Sequence, residues 1–116
     1  MIIIKGAVIK GQQLGRRMGF PTANIDAHDK RVDNGVYRSM VRIGTECYRA
    51  MTNVGLRPSV DGRTRLLEAH IFDFDRDIYG ETIQVELLDK IRDEQKFSSI
   101  EELQRQLQRD AELCRQ

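Results

Sequence analysis

Along this chain the apolar positions fall mostly in short β-rich runs between turn signals, and they take up a helical spacing only near the end. Ile2–Ile9 is rich in β-branched residues, and Gly35–Ile43 alternates around Val36, Met40 and Val41. Further strands are expected at Cys47–Asn53, Arg65–Phe74 and Thr82–Ile91. Turns are expected at Asp33-Asn34-Gly35, Ile43-Gly44-Thr45, Arg57-Pro58 and Asp61-Gly62. Strands at this spacing, with no helix between them, predict an antiparallel sheet closed into a small barrel, and closure removes the edges an open sheet must protect. The last segment differs. Ile100, Leu103, Leu107, Ala111 and Cys114 form one apolar stripe, and Ser98-Ser99-Ile100-Glu101 supplies an N-cap with a glutamate three positions on. A terminal helix laid against the barrel is therefore expected.

At 116 residues, 40% hydrophobic and 32% charged, the chain suits one globular domain spanning 1–116 with a single core. No apolar run reaches membrane-spanning length, and the opening segment lacks the length and flanks of a signal peptide. Cys47 and Cys114 show no metal or redox spacing, so a reducing, cytoplasmic setting is expected. The charge is uneven: residues 1–65 carry twelve Lys/Arg against five Asp/Glu (net +7), and residues 66–116 carry seven against thirteen (net −6). That asymmetry suits a bound anion in the first part. No aromatic residues interleave with the basic ones as a base-stacking stripe would require. A monomer without nucleic-acid or membrane partners is expected.

The densest chemistry lies in Gly19-Phe20-Pro21-Thr22-Ala23-Asn24-Ile25, entered through Gly11, Gly15, Arg16 and Arg17. Pro21 fixes its own backbone and holds Phe20 extended. If the chain stays extended, Thr22 and Asn24 project to one side, where their oxygens could share one hard cation. The glycines would let backbone N–H groups approach phosphates. The same segment also reads as an ordinary turn leading into a strand, and the common phosphate-loop patterns are missing.

Leu67, Ala69 and Ile71 alternate with Glu68, His70 and Phe72. With the first set inward, Glu68 sits on the outer wall, either as a solvated strand glutamate or as an acceptor of a substrate hydroxyl proton. His70 reads as a hydrogen-bonding strand residue. Asp73-Phe74-Asp75-Arg76-Asp77 is not a calcium loop, because Ile78 and Gln84 stand where glycine and glutamate are needed. Arg92 and Phe97 could clasp a planar ligand, or form a salt bridge and seat the helix.

In order along nearly the whole chain, these elements resemble the riboflavin kinase family, in particular the kinase module of bacterial bifunctional enzymes. The resemblance runs through Gly6-Ala7-Val8, Gly11-Gln12-Gln13-Leu14-Gly15-Arg16, Gly19–Ile25 and Gly35-Val36-Tyr37. It continues through Asn53-Val54-Gly55-Leu56-Arg57-Pro58-Ser59, Glu68–Asp73, Tyr79-Gly80 and Ile91–Phe97. It implies a small closed antiparallel Greek-key β-barrel with a C-terminal α-helix, transferring the ATP γ-phosphoryl group to the riboflavin 5′-hydroxyl with Mg. A non-catalytic flavin-binding barrel is the alternative. By motif match, Thr22 and Asn24 would hold Mg and the phosphates, and Glu68 would be the base. Gly11, Arg16 and Tyr79 would lie near the nucleotide, and Arg92 and Phe97 near the flavin. With no adenylyl-transferring domain ahead of the first strand, FMN and not FAD is the expected product. Ser59 stands where such relatives often carry threonine.

Overall fold

The computed structural model describes residues 2–11, 16, 18–59 and 62–116. Six strands are present, five at the expected β-rich runs and a short additional one, β2: β1 (Ile2–Ala7), β2 (Ala23–Asp26), β3 (Gly35–Ile43), β4 (Glu46–Ser59), β5 (Gly62–Ile71) and β6 (Thr82–Arg92). One long helix, α1 (Ile100–Cys114), follows them. All strand pairs are antiparallel, in the spatial order β1-β6-β3-β4-β5-β2. Strands β3, β4 and β5 succeed one another, and β6 returns to lie beside β3, which is a Greek key. The sheet ends meet where the Ile9 N–H donates to the Asn24 carbonyl at 2.8 Å, so the barrel nearly closes.

Inward positions fill the interior with Ile4, Val41, Val54, Leu67 and Val85. The one polar pair inside this wall among the described residues, Ser39 and Thr52, is satisfied: the hydroxyls meet at 2.6 Å, and Ser39 also donates to the Ala50 carbonyl at 3.0 Å. Outside the barrel, α1 lies over β3 and β4, where Ala111 and Cys114 pack with Val36, Met51 and Phe72. The stripe buries from Leu107 onward, while Ile100 at its start is 58% exposed.

Several expected boundaries shift. β4 does not stop at Asn53 or turn at Arg57-Pro58; it runs on to Ser59. β3 ends opposite Val54, so beyond that point β4 pairs with β5 alone among the described strands, and β3 asks no hydrogen bond of the proline. β5 ends at Ile71 because Asp73 adopts a left-handed conformation that turns the chain. The helix cap is Ser99, whose hydroxyl accepts from the Glu102 N–H at 3.1 Å; Glu102 reaches back to the Ser98 backbone and hydroxyl, so the expected box is displaced by one residue. Of the expected features, Gly15, Arg17, Gln12, Gln13, Leu14 and Asp61 lie outside the described residues.

Candidate active site

The bend at Pro21 delivers Thr22 and Asn24 to the same side of the chain as it enters β2. The Thr22 hydroxyl donates to Asn24 Oδ1 at 3.0 Å. The bend itself is held from β5, where His70 Nδ1–H donates to the Pro21 carbonyl at 2.8 Å and the His70 ring lies edge-on to Phe20 and Phe72. Burial is the main cause that depresses the His70 pKa below its ordinary value; the Pro21 contact opposes this, and the Arg115 charge adds to it. A neutral imidazole thus serves as a strut, matching the strand hydrogen-bonding role expected of it.

Asn24 is 5% exposed, and Gly11 packs against it so closely that a Cβ on Gly11 would overlap the Asn24 amide. Above this pair opens a cleft of about 560 Å³, with Gly11, Arg16, Thr22, Asn24 and Tyr79 in its wall. Five residues singled out from the sequence therefore converge on one space. Lys10 and Arg76 also line it, with Lys10 Nζ over the Tyr79 ring at 5.6 Å. The cleft offers cationic groups to an anion, and Asp75 and Asp77 line it as well. Asp77 accepts the Tyr79 N–H at 2.9 Å.

Glu68 does not line this cleft. It stands one strand over, directly paired with Asn24 in the β2–β5 register, and paired residues share a face. Leu67 and Ala69 point into the core, so Glu68 faces outward as the alternation predicts, yet its side chain is only 17% exposed. Its partner is Arg57, whose Nε and Nη2 reach Glu68 Oε1 at 3.0 and 2.8 Å. Arg57 Nη1 in turn contacts Glu94 Oε1 at 3.1 Å. Burial works against the Arg57 charge, but Glu68 and Glu94 outweigh it and hold the pKa above its ordinary value.

The row Asn24–Glu68–Asn53–Val36–Arg92 crosses five strands on the outer face. Arg92 at its far end is four strands from Asn24. Its guanidinium grips Asp110 of α1, with contacts of 2.8 to 3.1 Å, and lies 5.8 Å from the Phe97 ring centre. Arg92 and Phe97 are thus beside one another, away from the cleft. Arg57 and Glu94 lie in segments that carry the family resemblance, but the sequence assigned no partner to them or to Asp110, because only the fold brings them to Glu68 and Arg92.

Among the described residues no three His, Cys, Asp or Glu side chains are grouped to hold a metal ion, and no helix is long and apolar enough to cross a membrane. Thr22 and Asn24 nevertheless bring two neutral oxygens together, hydrogen-bonded at 3.0 Å, and hard oxygen donors of this kind suit Mg, which draws much of its coordination from water and phosphates.

A Greek-key barrel with a cleft carrying Lys10, Arg16 and Arg76, paired neutral oxygens on Thr22 and Asn24 and a carboxylate one strand away has the parts that phosphoryl transfer asks of a protein, which are chiefly positioning and charge. The flavokinase (riboflavin kinase) family model matches residues 1–116, and the chain belongs to that family. It is 45% identical over 111 residues to the RNA-binding riboflavin kinase RibR of Bacillus subtilis, covering 95% of this chain and 48% of that protein. It is 44% identical over 115 residues to the bifunctional riboflavin kinase/FMN adenylyltransferase of Haemophilus influenzae, covering 97% of this chain and 37% of that one. The crystal structure of riboflavin kinase from Trypanosoma brucei superposes with a TM-score of 0.66 at 27% identity, over 97% of this chain and 76% of that one. The chain spans about half or less of the length of these two curated relatives.

Proposed function

We propose that residues 1–116 act as one riboflavin kinase domain, converting riboflavin and ATP to FMN and ADP. The observation that carries this reading is the pairing of Asn24 with Glu68, which sets a phosphate-side ligand and a proton acceptor on neighbouring strands. Arg16 and Lys10 offer charge to the polyphosphate, and the Gly11 backbone lies close enough to approach it. Thr22 and Asn24 would hold Mg through their neutral side-chain oxygens. When bound, Mg would neutralise charge on the transferring phosphoryl group. Glu68 takes the proton of the 5′-hydroxyl as that oxygen bonds to the γ-phosphorus and the bond to the ADP oxygen breaks. Tyr79 flanks the nucleotide.

The flavin ring is assigned to the far end of the row, near Arg92 and Phe97. Four strand steps of ~4.8 Å separate that end from Asn24 by about 19 Å along the sheet, so ring and polyol tail can be served by different groups. Arg92 meets the ring while anchored to Asp110.

The domain is taken to be a cytoplasmic monomer with no nucleic-acid or membrane partner. The absence of a nucleic-acid partner is supported by Arg38, Arg57 and Arg65, whose charges are engaged by Asp89, by Glu68 with Glu94, and by loop carbonyls. RNA binding that weakens steeply with salt would contradict that part.

The test is to incubate the protein with riboflavin, ATP and Mg and to separate the flavins chromatographically; FMN is expected, and none from folded protein refutes the reading. Glu68→Gln should retain flavin binding and lose about 100- to 10,000-fold in turnover, the usual range for a positioned base. Unchanged turnover would remove Glu68 from that role.

A further inference from the structure

The two contacts from Arg57 to Glu68 converge on a single oxygen. Nε and Nη2 both reach Oε1, and among the described residues no contact to Oε2 is found. A carboxylate held in this way has a fixed plane and one oxygen left to receive a proton. Arg57 is itself fixed: Nη1 donates to the Leu56 carbonyl at 2.9 Å and contacts Glu94 at 3.1 Å. Its side chain is 19% exposed, so the fork is largely withdrawn from water.

The backbone makes room for this arrangement. At Gly55 a Cβ would overlap the Glu94 carboxylate and crowd Arg57 Nη1, so the absent side chain provides the notch in which Glu94 reaches Arg57. Gly55, Arg57, Glu68 and Glu94 come from β4, β5 and the segment after β6, brought together by the β4–β5 register and by the return of β6 beside β3.

We propose that Arg57 is a positioning residue of the phosphoryl transfer, pinning Glu68 Oε1 so that Oε2 faces the substrate hydroxyl, with Glu94 in the Gly55 notch clamping Arg57. This rests on the function proposed above. Arg57 acts through Glu68 and does not itself meet the transferred group. A planar fork with two parallel donors is required, which lysine reproduces only in charge.

The experiment measures kcat and KM for wild type, Arg57→Gln, Arg57→Lys, Glu94→Gln, Glu68→Gln and the Arg57→Gln/Glu68→Gln double variant, with thermal melts alongside. Arg57→Gln should lower kcat by about 10- to 100-fold, as small misplacements of reacting groups do. KM for ATP should stay within about twofold, since the phosphate ligands are untouched. Arg57→Lys should recover part of kcat, and Glu94→Gln should lose less than Arg57→Gln. In the Glu68→Gln background the Arg57 change should cost almost nothing more, because the two groups act as one unit.

A full additional loss in the double variant overturns the proposal, because Arg57 would then act independently. So does unchanged kcat in Arg57→Gln. If Arg57→Gln does not fold, Arg57→Lys decides: wild-type kcat in that variant overturns the requirement for a fork. Wild-type protein that makes no FMN defeats the functional reading and this inference together, whereas an active wild type with indifferent Arg57 variants defeats only the inference.

Discussion

Asn24 is held from three sides: the Thr22 hydroxyl on its oxygen, the Gly11 backbone against its amide, and Glu68 across the strand pair. Its orientation is thus set before any ligand arrives, which is the pre-organisation a weak neutral metal ligand needs. Gly11→Ala should push the Asn24 amide out of place and weaken Mg-ATP binding by about 10-fold or more, equivalent to ~1.4 kcal/mol. Isothermal titration with Mg-ADP would measure it, and riboflavin binding should change little. At the same scale, burial and Asp110 raise the Cys114 thiol to about 11, opposed in part by Arg38, whereas Cys47 is exposed. One thiol per chain should react with a disulfide reagent in native protein and two after denaturation.

At the scale of elements, two segments are fixed by arginine contacts that no periodicity reveals. Arg65 ties the loop from Asp26 to Asn34 to β5, donating to the Lys30 carbonyl at 2.9 Å, to Asn34 Oδ1 at 2.8 Å, and to the Ala27 and Val32 carbonyls. Ala27 and Val32 are buried beneath it. Helix α1 is anchored through Asp110, 1% exposed, on Arg92. Asp110→Ala should destabilise the protein by about 3 kcal/mol, near the lower end for a broken buried pair because Arg92 can partly regain water. Ser99→Ala, which removes only the cap, should cost about 1 kcal/mol. Urea unfolding separates the two, and equal losses would contradict the anchoring role of Asp110.

For the molecule as a whole, His70 links β5 to the Pro21 bend and so couples the turn that carries Thr22 and Asn24 to the barrel. Its folded pKa is depressed, so the unfolded chain binds more protons as the pH falls below about 6.5, and stability drops with pH in that window. The stabilisation is fully present above the unfolded value and is lost as the pH falls through the folded one. His70→Asn, which keeps a donor near the Nδ1 position, should flatten the stability profile between pH 7 and 5 relative to wild type. Thermal melts across that range are the measurement; an identical slope in both proteins would remove His70 as the source.

Much of this molecule follows from local pattern. Period-two alternation placed the strands, the inward set Leu67, Ala69 and Ile71, and the outward Glu68; helical spacing placed α1; and the Pro21 bend put Thr22 and Asn24 on one side. These are short-range consequences of side-chain alternation and of a proline-fixed backbone. Other features depend on which strands become neighbours. Arg57-Pro58 reads as a turn until the register shows that β3 has ended and the strand can continue. Arg57 meets Glu68 eleven residues away and Glu94 thirty-seven away, and Arg92 meets Asp110 across the helix connection. A charge carries no label for its partner along the chain, because Coulomb attraction depends on distance in space and on the water excluded around it. Strand register and the docking of α1 on the sheet decided both.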